Sequence, residues 1–205
     1  MKYLKIVGFL VIFLMSKDVL ARTAGAYYGV SLIRYDSEAG NYNDSTGKSV
    51  NNTSAEGISN EEQISVGLNY KVAFNLFGFF VAPGAFYDFA NVSQYDNQGQ
   101  EWELNTRFGL RVDGGYDLTD NIAGYAFTGY ASNNLTVSNS RGSSSGSEVD
   151  PFYGVGAKYT VLDNIDLSFE YEFSGYKADV LYSNGVKADQ EYDTQVMRLG
   201  VSFRY

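Results

Sequence analysis

The chain has neither cysteine nor histidine among its 205 residues. The absence of cysteine excludes a disulfide framework, a lipid-anchored cysteine and thiolate chemistry. The absence of histidine removes the commonest general base and the commonest neutral metal ligand. We therefore expect a protein that is not an enzyme and that holds no metal ion and no cofactor.

Proline is nearly as rare, with 2 residues, whereas glycine (22), tyrosine (18) and phenylalanine (14) are abundant. Enrichment in glycine and aromatic residues indicates strands and turns rather than helices. Basic side chains are also in deficit, because 15 lysines and arginines stand against 24 acidic residues, for a formal net charge of −9. An acidic chain binds nucleic acid poorly, so we expect no nucleic-acid partner.

The amino terminus has the pattern of a secretory signal peptide. Lys2 and Lys5 precede an apolar run over 6–15, which is too short to span a bilayer. The small residue Ala21 follows a short polar step and marks the predicted cleavage position. A second small-residue site at 24–26 lies further from the apolar run and is the less favoured alternative.

Cleavage after Ala21 would leave residues 22–205 as a single domain. It would remove three lysines and one aspartate, so 15 basic and 24 acidic residues would become 12 and 23. The expected net charge of the mature chain is therefore 12 minus 23, or −11.

Alternation of apolar and polar residues with a period of two predicts eight strands. Successive side chains in a strand point to opposite sides, so each predicted strand has one apolar and one polar face. The predicted strands span 26–36, 63–73, 79–94, 104–118, 122–137, 153–161, 165–173 and 196–205. Alternation leaves the facing of the first and fifth strands open, and either a bulge or an extracellular end in the first strand would reconcile its two parities.

The predicted connections alternate between long and short. Long polar loops are predicted at 37–60, 138–148 and 178–191, with a shorter one at 95–100. Up-and-down barrels of the outer membrane have an even strand number, short periplasmic turns and longer extracellular loops. The pattern therefore predicts an all-β, eight-stranded antiparallel up-and-down transmembrane β-barrel with both chain ends on the periplasmic side.

The short turns also repeat in sequence. Residues 115–122 and 158–165 share a tyrosine, an Asp-Asn pair and a restarting isoleucine, and residues 69–76 are a weaker third copy. Aspartate and asparagine suit tight turns because they tolerate left-handed backbone. We expect the tyrosines before these turns to form a girdle at the membrane interface.

The last predicted strand ends the chain with a regular pattern. Its apolar face comprises Met197, Leu199, Val201, Phe203 and Tyr205. The pattern resembles the carboxy-terminal assembly signal of outer-membrane β-barrel proteins, which has a polar residue, a glycine two positions later and two alternating apolar or aromatic residues at the end. Arg198, Gly200, Phe203 and Tyr205 match this signal in order.

Together with the turn repeats and the strand count, this signal resembles the superfamily of small eight-stranded bacterial outer-membrane β-barrels. The superfamily includes the opacity proteins and the transmembrane domains of OmpA- and OmpX-like proteins, and no motif selects one subfamily. The resemblance implies a location in the outer membrane of a Gram-negative bacterium. It also implies insertion by the barrel-assembly machinery and contact with outer-membrane lipid and lipopolysaccharide.

The polar faces of the strands carry charge that a barrel would enclose. The candidate lumen residues are Lys71, Arg107, Arg111, Asp113, Lys158, Asp166, Glu170, Glu172, Arg198 and Arg204. Counting from the periplasmic ends predicts that Glu170 faces Lys158 and that Glu172 faces Arg198. We interpret the set as an ion-pair network that fills a narrow interior, and the alternative is a gated path for ions or protons.

The long polar loops direct the functional prediction, because they exceed what barrel closure requires. We expect a surface-exposed protein with a structural and interaction role, an adhesin or surface antigen that meets host-cell or matrix proteins. The alternative is a small porin-like channel gated by lumen ion pairs. A lipid-modifying enzyme is a remote alternative, because its candidate acids Glu170 and Glu172 are flanked by cations.

Overall fold

The computed structural model describes residues 24–44, 49–50, 64–95, 101–139, 142–181 and 187–205. The strands are β1 (Gly25–Asp44), β2 (Ser49–Val50), β3 (Ile64–Leu76), β4 (Phe79–Phe89), β5 (Val92–Tyr95), β6 (Glu101–Asp117), β7 (Ile122–Asn139), β8 (Gly142–Leu162), β9 (Ile165–Leu181) and β10 (Lys187–Arg204). Eight of these ten strands are long, and β2 and β5 have two and four residues. No helix in this part of the chain is long and apolar enough to cross a membrane.

The long strands form one closed antiparallel barrel. Their order is β10-β9-β8-β7-β6-β4-β3-β1, and β1 also pairs with β10. At the junction, the backbone nitrogen of Tyr205 donates to the carbonyl of Ala26 at 2.9 Å. Closure leaves no open sheet edge at this level, which lipid requires, and the predicted all-β, eight-stranded antiparallel barrel is confirmed.

The first strand contains no bulge in its membrane-level part, contrary to the possibility raised by its mixed parity. Its register with β10 is unbroken from Tyr27 to Ala39. Tyr28 and Leu32 point outward and are 52% and 55% exposed, whereas Ile33 and Tyr35 are buried inside the barrel. The ambiguity arose because this strand places apolar side chains on both faces.

The outer surface carries an apolar band with aromatic residues near its ends. At the short-turn end, Tyr28 lies 4.8 Å from Tyr70 and 5.9 Å from Tyr205 between ring centroids. At the opposite end, the rings of Tyr153 and Phe173 stack at 5.5 Å. Such a band with aromatic girdles is typical of strands that cross a lipid bilayer.

The connection between β3 and β4 is a two-residue turn at Phe77 and Gly78, slightly beyond the position predicted near Asn75. Both residues have positive φ, 56° and 82°, as the tightest hairpin turns require. The side-chain oxygen of Asn75 accepts a hydrogen bond from the Gly78 nitrogen at 3.2 Å. The third predicted strand is divided into β4 and β5 at Asn91, which has a φ of 48°.

The strands extend into stretches that were predicted as loops. Strand β1 continues to Asp44, β7 and β8 meet near residues 139–142, and β9 and β10 reach Leu181 and Lys187. The prediction was wrong there because it used polar composition, and strands beyond the membrane have water on their outer side. The remaining parts of these loops, the predicted signal peptide and the Ala21 cleavage position lie outside the described residues.

Aromatic residues and glycines face each other on the inner surface of the barrel. This arrangement includes β7, whose facing the sequence left open. Inward aromatic rings lie directly across the ladder from glycine on the neighbouring strand. The pairs are Phe80–Gly115, Phe86–Gly109, Tyr125–Gly156, Phe127–Gly154 and Phe152–Gly129. A Cβ atom added at any of these glycines would lie within 3.0 Å of the facing ring. Glycine therefore gives each ring its space, and one wall of the lumen is aromatic.

Candidate functional site

Ten ionisable side chains lie in the lumen beside these rings, and we call them the lumen network. Its members are Lys71, Asp88, Arg107, Arg111, Asp113, Lys158, Asp166, Glu170, Glu172 and Arg198. Five are cationic and five are acidic, so the set is formally neutral. They occupy the strand parity that faces inward, because the other parity carries the exposed apolar band.

Asp88 is the centre of the upper part of the network and has no exposed surface. Its two oxygens accept hydrogen bonds from Arg198 Nη1 at 2.7 Å and Arg198 Nη2 at 3.1 Å. The Tyr35 hydroxyl donates to Asp88 Oδ2 at 3.0 Å. Paired charged hydrogen bonds of this kind are among the strongest in proteins. The sequence prediction did not include Asp88, although it shares the inward parity of Phe86.

Arg107 is held between two aromatic rings. Its guanidinium carbon lies 5.0 Å from the centroid of Phe86 and 4.9 Å from that of Phe152. Its Nη2 atom lies 2.6 Å from Glu172 Oε1, yet neither group makes a hydrogen bond of good geometry there. Attraction between the cation and the ring faces adds to this ion pair.

The middle of the network centres on Arg111 and Glu170. Arg111 Nη1 and Nη2 donate to the two carboxylate oxygens of Glu170 at 2.9 and 3.0 Å. Arg111 Nε donates to Asp113 at 2.6 Å, and its guanidinium lies 4.0 Å from the Phe127 centroid. The Tyr125 hydroxyl also donates to Glu170, at 2.8 Å. Every charged atom at this level therefore has a close partner on another strand or on its own.

Two lysines complete the lower part of the network. Lys71 Nζ lies 2.9 Å from Asp113, and Lys158 Nζ lies 3.2 Å from Asp166. Lys158 also donates to the Tyr27 hydroxyl at 3.2 Å. A cavity of about 20 Å³ lies between these groups, which is room for about one water molecule.

The predicted partner of Lys158 was wrong. The β8–β9 register sets Lys158 opposite Ser168, so Asp166 and Glu170 are its two diagonal neighbours. Glu170 is occupied by Arg111 from across the lumen, and Lys158 binds Asp166 instead. Parity along one strand cannot distinguish two acids on the same face.

Arg198 also has a different principal partner from the predicted one. Its direct neighbour across the β9–β10 ladder is Glu170, while Glu172 lies two positions along. Arg198 Nη2 is 3.7 Å from Glu172 Oε2, so this pair is in contact but longer than the pair with Asp88. The predicted lumen residue Arg204 lies near the periplasmic turns and donates to the backbone carbonyl of Asp163.

The residues of the predicted assembly signal divide between the two faces of β10. Arg198 and Gly200 face the lumen, whereas Phe203 and Tyr205 face outward and are 47% and 87% exposed. Their role in assembly stays a prediction. Among the described residues, no group of three or more acidic side chains is arranged to hold a metal ion.

Comparisons with known proteins identify a family. The family model described as outer membrane protein beta-barrel domain matches residues 7–205. No curated protein matches the chain.

Solved structures resemble the chain in fold. Outer membrane protein AlkL, solved in DMPC lipid bilayers, has a TM-score of 0.58 and 16% identity, covering 89% of this chain and 90% of its own. Ail, the attachment invasion locus protein of Yersinia pestis, solved with the heparin analogue sucrose octasulfate, has a TM-score of 0.49 and 13% identity over 88% of this chain and 99% of its own. Neisserial surface protein A has a TM-score of 0.49 and 13% identity, covering 89% of this chain and 98% of its own.

Proposed function

This chain belongs to the family of outer membrane protein β-barrel domains, and on that premise we propose that it is a surface-exposed interaction protein of the Gram-negative envelope. Its extracellular strand ends would bind host-cell or matrix proteins, as an adhesin or surface antigen does. The barrel would anchor them in lipid and lipopolysaccharide after insertion by the barrel-assembly machinery. The anchoring role rests on the residues of the barrel, and the interaction role rests on the residues at the strand ends.

The observation that carries the proposal is the hairpin of β7 and β8. The apolar band ends at Tyr130 and Val149, which are 63% and 66% exposed. Beyond them the ladder continues without a break to the pair Asn139–Gly142. The outward residues of this extension are Ser132, Asn134, Thr136, Ser143, Ser145 and Ser147. The nine residues of β7 beyond Tyr130, 131–139, span roughly 30 Å at about 3.3 Å per residue. A polar ribbon of that length exceeds what closure of the barrel needs.

The side of the membrane follows from the connections. The β3–β4, β6–β7 and β8–β9 connections have two to four residues between strands, at the end of the barrel opposite the ribbon. Short turns are periplasmic in barrels of this kind, so the ribbon is assigned to the extracellular side. A protein with a net charge of −9 favours partners with basic surfaces.

The lumen network favours a second candidate, a small ion channel. Arg107 and Glu172 are in contact without well-aligned hydrogen bonds, so this pair would separate more easily than Arg111 and Glu170. A pore would require such a separation, because Arg107 is buried between the rings of Phe86 and Phe152 and blocks the lumen at this level. Glu170 and Glu172 are both engaged by arginines, and we propose no catalytic role for them.

The interaction role is tested by shortening the ribbon. Residues 134–147 are replaced by Asn-Gly, so that the facing pair Asn133 and Glu148 closes the hairpin. We expect intact cells to lose binding to immobilised matrix proteins, while the shortened barrel keeps its altered gel mobility without boiling. An antibody tag in the ribbon that is inaccessible on intact cells would contradict the proposal, and so would unchanged binding by the shortened variant.

A further inference from the structure

Strands β8 and β9 separate above the membrane. Their ladder ends at the pair Phe152–Ser174. Strand β8 nevertheless begins ten residues earlier, at Gly142, and β9 continues seven residues further, to Leu181. No strand among the described residues pairs with β8 on this side before Phe152. The ribbon therefore has one free edge.

The residues that present this edge follow from the antiparallel hydrogen-bond pattern. In such a ladder each residue directs both its N–H and its C=O to the same neighbouring strand, and successive residues alternate. The Thr160 nitrogen donates to the Asn121 carbonyl at 2.8 Å, on the side of β7. The β7–β8 register is constant from Tyr159 to Gly142, so even-numbered residues of β8 bond to β7 along its whole length.

Odd-numbered residues of β8 consequently direct their main-chain groups toward the free side. Before the proline at position 151 these are Ser143, Ser145, Ser147 and Val149, and we call them the β8 edge. Their side chains are exposed. Four N–H and four C=O groups thus form a row that no described strand satisfies.

The β8 edge lacks the features that usually protect a strand from pairing. Natural proteins cover free edges with lysine, proline or bulges, because an uncovered edge is a template for another strand. The stretch of β8 that β9 leaves unpaired, 142–151, contains no lysine and one proline, Pro151, which lies at its membrane end next to the β8–β9 ladder. Residues 142–149 beyond it contain neither residue type, and their register with β7 contains no bulge. The edge is flat, polar and regular over its length.

We propose that the β8 edge binds an extended segment of a partner polypeptide, which adds to the ribbon as a further strand. This inference rests on the proposed interaction role and names the form of the partner. Main-chain hydrogen bonds would provide the contact, as in other cases of strand addition. The net charge of the whole chain, −9, favours a basic segment over an acidic one. A second copy of this chain is a poorer occupant, because it carries the same charge.

The experiment uses the full barrel in lipid nanodiscs and a short fluorescent peptide of alternating valine and lysine. A matched peptide of the same sequence is N-methylated at alternate residues, which keeps its charge but removes the N–H groups of one edge. We expect the wild-type protein to bind the unmodified peptide about tenfold more tightly than the methylated one, measured by fluorescence anisotropy.

Two variants of the protein locate the site. Ser145→Pro removes one N–H of the β8 edge and no bond to β7, and it should weaken peptide binding about tenfold. Ser145→Ala keeps the edge N–H and should bind as the wild type does. Unaltered gel mobility of unboiled protein shows that both barrels are folded.

Equal binding of the two peptides by the wild-type protein would overturn the proposal, because the attraction would then depend on charge alone. Loss of self-association in Ser145→Pro, without peptide binding by the wild type, would also overturn it and assign the edge to a second copy. If the shortened ribbon abolishes cell binding but the peptides bind equally, the interaction role stands and the β8 edge does not carry it.

Discussion

Arg198 on β10 and Asp88 on β4 are joined by two hydrogen bonds of 2.7 and 3.1 Å, although β1 and β3 lie between their strands. The pair is buried, and it links two walls of the lumen that the sheet connects only indirectly. Each partner also contacts a further charge, since Asp88 lies 3.6 Å from Arg107 and Arg198 lies 3.5 Å from Glu170. Eight members of the lumen network are thus connected through ion pairs, and Lys158 and Asp166 form a ninth and tenth charge paired with each other.

Substitution of Arg198 by methionine should destabilise the barrel by about 3–5 kcal/mol, because five carboxylates would then face four cations without access to water. Addition of Asp88→Asn should recover part of that loss, since four cations would face four carboxylates. Unfolding by urea in lipid vesicles measures both values. Arg34→Met, at an exposed position of β1, is the control and should cost less than about 1 kcal/mol, because contacts of an exposed charge are screened by water. Additive losses from the two lumen substitutions would disprove their coupling.

The pairing of glycine with aromatic rings gives a second prediction. Gly156→Ala would place a methyl group 2.6 Å from the Tyr125 ring, and its three nearest atoms all belong to Tyr125, whereas at Gly114 no atom lies within 4 Å of the added group. We expect Gly156→Ala to lower the free energy of unfolding by about 1–3 kcal/mol through overpacking. Gly114→Ala should be neutral or slightly stabilising in the same urea titration. Equal effects at both positions would mean that the ring does not need the space.

The predicted assembly signal can be separated from general membrane affinity. Tyr205 and Tyr159 are both exposed aromatic residues near the short-turn end, at 87% and 50%. If the barrel-assembly machinery recognises the carboxy-terminal strand, Tyr205→Ala should slow the appearance of folded protein in cells. Tyr159→Ala should not slow it. Pulse-labelled samples run without boiling measure this rate. The same delay in both variants would assign the effect to lost interfacial anchoring.

Much of the architecture could be predicted from alternation alone. Period-two patterns located all eight long strands, and inward parity identified nine of the ten members of the lumen network, all except Asp88. The ion-pair partner of each charged lumen side chain could not be predicted in the same way. Whether Lys158 meets Asp166 or Glu170 depends on the relative register of strands that are distant in sequence, and on which acid an arginine from across the lumen already occupies.

Two other features escaped prediction for physical reasons. The facing of β7 was hidden because Tyr125 and Phe127 are inward aromatic residues, and their facing glycines lie on β8. The length of the extracellular strands could not be predicted because the outward side chains of a ribbon beyond the membrane face water and are polar, so the sequence does not alternate between apolar and polar residues there. Residues such as Ser143 and Ser145 therefore have the composition of a loop while they lie in a strand.

The central claim is that the lumen is filled and that the protein acts through its extracellular strands. Conductance across a planar lipid bilayer containing the purified wild-type barrel tests it most directly, with Arg107→Ala/Glu172→Ala as the comparison because it removes two side chains that fill the lumen. We expect background current for the wild type and discrete openings for the double variant. Discrete, reproducible openings of the wild-type protein at the same voltage would contradict the account and favour the channel.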